Sequence, residues 1–294
     1  MRRRTFLAAG AAWQVRAMAP SPTIIDTHTH FYDPSRPMGV PWPRPQESVL
    51  YRTVLPSEYR DLVEPLGVAG TVVVEASPWV EDNQWVLDLA RDNRFLLGLV
   101  GNLNTAEPAF AKQLERFHRN PLFLGIRVSG AALTNGGSAL FRSNVKLLAQ
   151  AGLALDVLGG AGMFADIVRL HDAEPSLRII IDHLPFDESP DYALLREFEK
   201  RATVYAKVSN ILRKREGQVS LDLSSYREAL DRIWSIFGDD RVVYGSNWPV
   251  SDLVAPYEPV LQVARAYAAT RGPAAEVKYL RSNSRLAYRY KERA

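Results

Sequence analysis

The stretch Ile24-Ile25-Asp26-Thr27-His28-Thr29-His30-Phe31 places a carboxylate and two imidazoles two residues apart. On an extended strand, residues at i, i+2 and i+4 share one face, so Asp26, His28 and His30 are expected together near a strand end. Imidazoles and a carboxylate at that spacing can move protons near neutral pH or hold a metal ion. The plain alternative is a polar edge strand whose histidines are internally satisfied. Further chemistry-bearing residues close later β-branched runs. Glu75 and Ser77, then Trp79, end one; Arg127 lies in Gly125-Ile126-Arg127-Val128, and Asp156 ends the next. Asp182 and His183 stand in Ile181-Asp182-His183-Leu184-Pro185, followed by Lys207 and Asn210. Ser246, Asn247 and Trp248 stand in Tyr244-Gly245-Ser246-Asn247-Trp248-Pro249.

The elements that must position these residues follow from periodicity. Strand-like runs at 24–31, 71–77, 95–103, 123–129, 153–158, 177–184, 203–209 and 242–248 alternate with stretches of helical apolar spacing, such as Phe110, Leu114, Phe117 and Leu230, Ile233, Trp234, Phe237. Asp187-Glu188-Ser189-Pro190 signals a helix start and Gly238 a helix end. Eight strand–helix units predict parallel strands with crossover helices, and hence an α/β fold of the (β/α)8 TIM-barrel type in a single domain. An open doubly wound sheet binding a nucleotide would need a glycine-rich phosphate turn after the first strand, and none is present. Catalytic groups in such a barrel come from the carboxyl ends of the strands, which is where the residues above are expected.

Two connections stand out. Residues 32–56 hold tyrosines, Trp42 and closely spaced prolines without helical or strand period, and suggest a stiff lid over the barrel mouth. Residues 210–220 carry Arg213, Lys214 and Arg215, either a solvated charge run or a clamp for an anionic substrate. Residues 274–293 read as a terminal helix outside the barrel. His118 and His171 lie inside helical patterns and are expected at the surface or in packing.

The chain has 294 residues, 47% hydrophobic and 23% charged, with no cysteine, so disulfides, thiolate metal sites and cysteine nucleophiles are excluded. Its net charge of +3 comes from the amino terminus, where Arg2, Arg3, Arg4 and Arg16 lie. The body is balanced, which argues against a nucleic-acid surface. Residues 1–19 read as a twin-arginine export signal: Arg3-Arg4-Thr5-Phe6-Leu7, an alanine-rich run, and Ala17-Met18-Ala19 before Pro20. A periplasmic protein of residues 20–294 is therefore expected, the alternative being a basic tail on a cytoplasmic one. No run is long enough to span a membrane.

Asp26-Thr27-His28-Thr29-His30, the Gly-Ile-Arg strand, Asp182-His183 and Gly245-Ser246-Asn247-Trp248-Pro249, in this order, resemble the amidohydrolase superfamily. They are most similar to the amidohydrolase-related group of 2-pyrone-4,6-dicarboxylate lactonases and sugar-acid lactonases. Asn283-Ser284-Arg285-Leu286-Ala287-Tyr288 looks like that group's carboxyl-terminal ending. The resemblance implies a barrel hydrolase that attacks an ester carbonyl with activated water, on a small carboxylated or sugar-derived lactone. His28 and His30 match the family's first-strand histidines, His183 its later-strand histidine, and Arg127 a strand-end arginine that contacts substrate.

Asn247 stands where most members of the superfamily carry an aspartate. A carboxamide neither accepts a proton near neutral pH nor ligates metal well. Either a histidine acts as base while Asn247 orients the water, or Asn247 donates to the oxyanion, or the barrel binds a small acid without turnover. A metal-dependent decarboxylase is the other enzymatic alternative. A metal-free site is favoured, with one divalent ion such as zinc on His28, His30 and His183 as the alternative. Glu75, Trp79, Arg127, Lys207 and Trp248 are expected to contact substrate. Lys207 can instead pair with Asp156 or Glu75, Asp156 can bond within the barrel, Arg127 can serve an ion pair, and the two tryptophans can be core.

Overall fold

Aliphatic residues on both faces mark strands that are covered on both sides, as in Ile179-Ile180-Ile181 and Val72-Val73-Val74. In the computed structural model, which describes residues 23–186 and 192–291, these runs form β1 Ile24–Thr29, β2 Val68–Val74, β3 Leu96–Gly101, β4 Phe123–Ser129, β5 Ala154–Leu158, β6 Arg178–Leu184 and β7 Val204–Val208. A two-stranded hairpin, β8 Lys214–Arg215 with β9 Gln218–Val219, precedes the last barrel strand, β10 Val242–Tyr244. The eight long-range strands pair in the order β1-β2-β3-β4-β5-β6-β7-β10, every neighbour parallel. The gap between β10 and β1 is spanned where Asn247 N–H donates to His28 C=O and His30 N–H to Trp248 C=O, both at 2.9 Å. The result is the expected eight-stranded, nearly closed barrel. The proposed leader and the Asp187–Pro190 helix start lie outside the described residues.

The crossover helices are α1 Pro56–Val63, α2 Val80–Arg91, α3 Phe110–His118, α4 Ala139–Gln150, α5 Phe164–Ala173, the short α6 Tyr192–Leu195, α7 Ser224–Phe237 and α8 Tyr257–Thr270. Each buries the stripe its periodicity predicts: Phe110, Leu114 and Phe117 on α3; Leu230, Ile233, Trp234 and Phe237 on α7. Gly238 ends α7 at φ 64°, in the left-handed region that glycine reaches without cost. No described helix is long and apolar enough to cross a membrane.

The carboxyl terminus departs from expectation. The segment breaks into α9 Pro273–Val277, a wider turn at Lys278–Ser282 and α10 Asn283–Tyr288. Its end does not stay outside the barrel. Ala287, Tyr288 and Tyr290 join the inner cluster of Ile25, Val72, Leu97, Leu124, Ile180 and Val243. They plug the barrel floor, because the inward side chains at the amino ends of the strands leave an apolar hole that a terminal segment can fill.

Candidate active site

Inward residues of neighbouring strands climb in layers. Ala154, Ile180, Tyr205 and Val243 belong to the apolar inner layer. One step of two further toward the carboxyl ends stand Asp156, Asp182, Lys207 and Gly245. Gly245 has no side chain for a reason. A Cβ there would lie 2.8 Å from His28 Cβ, so glycine is what leaves space for the imidazole of β1.

The first strand does not place its three polar residues together. Asp26 pairs with Thr71 and Thr29 with Val73, so β1 carries one residue more than β2 over this interval. Such a bulge inverts the alternation beyond it. The Asp26 carboxylate accepts from the Tyr59 and Tyr257 hydroxyls of α1 and α8, at 2.7 and 3.1 Å, and from the N–H groups of His28 and Ser246 at 3.0 and 2.9 Å. It ties the strand to the helix layer. His28 and His30, past the bulge, face inward.

The three imidazoles meet there. The ring centres of His28 and His30 are 4.9 Å apart, and those of His28 and His183 4.6 Å. Burial, with lesser contributions from neighbouring cations, pushes all three pKa values down: His28 well below its ordinary value, His30 to about 3 and His183 to about 4. All are uncharged at neutral pH. His30 Nδ1 is 3.0 Å from Val74 C=O, a group that can only accept, so this nitrogen carries the proton and Nε2 the lone pair. Nε2 stands 3.2 Å from Asn247 Oδ1, and Asn247 Nδ2 donates to Asn210 Oδ1 at 2.9 Å. A lone pair on His30 requires the Asn247 NH2 to turn toward it and the Asn247 oxygen toward the Asn210 NH2. His183 Nδ1 is fixed by Ser209 Oγ at 2.8 Å. His183, Asn210 and Asn247 all have positive φ, at 65°, 51° and 63°. Three strand ends thus hold a sparsely populated backbone conformation around one cluster, a pattern associated with functional sites.

Beneath the imidazoles, Lys207 is fully buried between two carboxylates, its Nζ 2.5 Å from Asp156 and 2.9 Å from Asp182. Burial would raise the Asp182 pKa, but the Lys207 ammonium together with His28 and His183 outweighs it and holds the carboxyl well below its usual range. Burial and the charge of Asp182 push Asp156 up to about 7 against the pull of Lys207. Lys207, expected to contact substrate, is fully buried in this internal pairing, which matches its other reading, an ion pair with Asp156. Asp156 bonds within the barrel, as one of its two readings had it.

Arg127 donates from Nε and Nη2 to Glu75, at 2.8 Å to the carboxylate and 2.9 Å to the backbone oxygen, and its Nη1 has no partner among the described residues. The pair borders a groove of about 400 Å³ that continues past Asn102, Thr105, Ser129 and Leu158. Glu75, expected to contact substrate, is the arginine's partner. Trp248 is not a pocket wall. It is buried against Phe31 and Tyr59 in the helix layer, since it follows the turn at Asn247 and points outward. Trp79 starts α2, with its N–H bonded to Ser77 Oγ, and does not line the groove. The aromatic residue the motif reading missed is Trp42 of the 32–56 connection, 6.1 Å from His30 and 5.4 Å from Tyr32. That connection is held down by Arg36, which pairs with Asp82 at 2.9 Å and stacks over Trp85. Of the expected anion clamp only Arg213 approaches the site, donating to Pro185 C=O; Lys214 and Arg215 are exposed in the hairpin. His118 is exposed, and His171 packs in α5 with Nε2 3.0 Å from Thr203 Oγ1.

Whether this cluster suits a metal ion can be judged from its donors. His28, Asp182 and His183 each offer a ligand atom within 4.8 Å of the others. Neither ring nitrogen of the fully buried His28 has a hydrogen-bond partner among the described residues, and Nδ1 is 3.7 Å from Asp182. Unsatisfied buried polar atoms call for a missing partner. Two imidazoles and a carboxylate form a donor set used by catalytic zinc. The residues fit one divalent cation, with Asp182 in the place expected of His30, whose nitrogens are engaged by Val74 and Asn247.

Comparison with known proteins agrees with this architecture. The model of the amidohydrolase family matches residues 25–290. The chain is 26% identical to the L-fucono-1,5-lactonase of Burkholderia ambifaria over 242 residues, 79% of this chain and 82% of that one. It is 27% identical to the L-fucono-1,5-lactonase of Burkholderia multivorans over 271 residues, 86% and 90% of the two chains. In three dimensions it resembles an amidohydrolase from Burkholderia multivorans crystallised with bound zinc, with a TM-score of 0.80 and 23% identity over 91% of this chain and 99% of that one.

Proposed function

The chain belongs to the amidohydrolase family, and on that premise we propose that it hydrolyses a small sugar-derived or carboxylated lactone. The observation that carries the reading is the cluster of uncharged imidazoles at the carboxyl ends of the strands, with Arg127 and Asn247 at its edge. Arg127 Nη1 binds an oxygen of the lactone and helps draw electron density from the carbonyl. His30 Nε2 carries a lone pair and accepts the proton of the attacking water once that water takes the place of the Asn247 amide at Nε2, the amide then orienting the water. Water oxygen bonds to the carbonyl carbon, the ring carbon–oxygen bond breaks, and the proton passes to the ring oxygen to give the hydroxy acid. A divalent cation held by His28, Asp182 and His183 would supply Lewis acidity and lower the pKa of water. Trp42 and the 32–56 connection cover the mouth and limit the access of bulk water.

The L-fucono-1,5-lactonases among the relatives make sugar lactones the first substrates to test. The proposal predicts turnover of L-fucono-1,5-lactone or a related aldonolactone, followed by acid release. His30→Ala should lower kcat by about 100-fold or more with the fold intact. Ligand binding without turnover across the whole panel would overturn the enzyme reading in favour of a binding barrel. A decarboxylase reading draws support from one observation, the cation-compatible donor set. Carbon dioxide release from small aromatic acids, with the lactones untouched, would favour it. Export as a periplasmic protein is proposed with the same reading, and mass determination of secreted protein should show a chain beginning at Pro20.

A further inference from the structure

The barrel interior holds two charged groups, Asp156 and Lys207, for which the proposed reaction has no direct use, beside Asp182, the carboxylate of the candidate cation site. Asp156, Lys207 and Asp182 are fully buried on β5, β7 and β6, directly above an apolar layer. Replacing buried ion pairs with apolar residues of similar volume is often neutral or stabilising, so packing alone does not account for them. What they do is connect. The Tyr288 hydroxyl donates to both Asp156 oxygens, at 3.1 and 2.9 Å. Asp156 holds Lys207 Nζ, which lies 2.9 Å from Asp182 Oδ1, and that same oxygen stands 3.7 Å from His28 Nδ1. The Lys207 ammonium also lies 5.4 Å from the centre of the Tyr288 ring. A line of buried polar contacts runs from the carboxyl-terminal helix at the barrel floor to the imidazole at its mouth.

We propose that Tyr288 is a positioning residue for the active site, acting through the Tyr288–Asp156–Lys207–Asp182 line to place the carboxylate that faces His28. The physical basis is competition. One ammonium is shared by two carboxylates, and the phenol hydroxyl satisfies Asp156 so that Lys207 can also hold Asp182. Without the hydroxyl, Asp156 draws Lys207 more strongly, and Asp182 and His28 shift with it. The interior is close-packed and weakly screened, so such a displacement is transmitted and not absorbed by water. The catalytic half of the proposal rests on the lactonase reading; the positioning half does not.

The test compares Tyr288→Phe with Tyr290→Phe. The second removes a hydroxyl from the same floor, where it bonds Ser284 Oγ at 2.8 Å, whereas the hydroxyl of Tyr288 is the one bonded to Asp156. Nitrogen-15 NMR of the Lys207 ammonium and the His28 ring, with kinetics on L-fucono-1,5-lactone, gives two readouts. Tyr288→Phe is expected to move both sets of resonances and to lower kcat roughly tenfold at little changed KM, while Tyr290→Phe leaves them in place. Resonances unmoved in Tyr288→Phe, or moved equally by both variants, would overturn the proposal. If neither wild type nor variant turns over the lactone, the resonances still decide the positioning role, and the failure belongs to the substrate reading.

Discussion

Asn247 stands where the sequence led one to expect an aspartate, and its surroundings give the carboxamide a purpose. Turned end for end, its NH2 satisfies the lone pair on His30, which an ionised carboxylate cannot do. Asn247→Asp should therefore raise the His30 pKa from about 3, because the new carboxylate stabilises the protonated ring; NMR titration of the ring measures it. An unmoved or lowered value would mean that the two side chains do not face each other as described. Asn247 and its partners were legible in order but not in pairing. Gly245-Ser246-Asn247-Trp248 announced a strand end, yet which residues point in and which point out depends on the turn at Asn247, and Trp248 ended up in the core.

Elements set these residues to within a few ångströms, and one close constraint at the site is the approach of β1 to β10. Gly245→Ala would put a methyl group 2.8 Å from His28 Cβ and 3.4 Å from the Lys207 side chain. We expect a loss of about 1–3 kcal/mol in denaturant unfolding, typical of overpacking, together with impaired turnover. At the rim, Ser138 caps α4 by accepting from Phe141 N–H at 3.0 Å. Ser138→Ala should cost about 1 kcal/mol with kcat unchanged, a control that separates stability from catalysis.

The molecule as a whole carries a pH dependence from its buried imidazoles. In the unfolded chain each titrates near its ordinary value, and in the folded chain His30 and His183 are lowered to about 3 and 4. Unfolding thus takes up protons in this interval. Their contribution is fully present above pH 6.5 and is lost as pH falls toward 4 and 3. Asp156, raised to about 7, works in the opposite direction. The contribution of one imidazole is therefore best isolated by difference. His30→Gln should lose less stability than wild type between pH 6.5 and 4 when unfolding midpoints are compared across pH. Parallel curves would show that His30 is already protonated in the fold.

The strand and helix pattern was legible because burial on both faces of a parallel strand and on one stripe of a helix leaves periodic apolar residues. The eight strand runs and the Asn283–Tyr288 ending could be read from the chain alone, and so could the places of His28, His30, His183, Arg127 and Asn247 at strand ends. Other features were decided by the tertiary structure. One extra residue in β1 turned Asp26 outward to Tyr59 and Tyr257 and sent both histidines inward. Lys207 settled between Asp156 and Asp182, and Tyr288 entered the floor from the far end of the chain. Periodicity is a local property and reports which residues are buried. Bulges, close approaches and charge pairing arise only when distant strands meet.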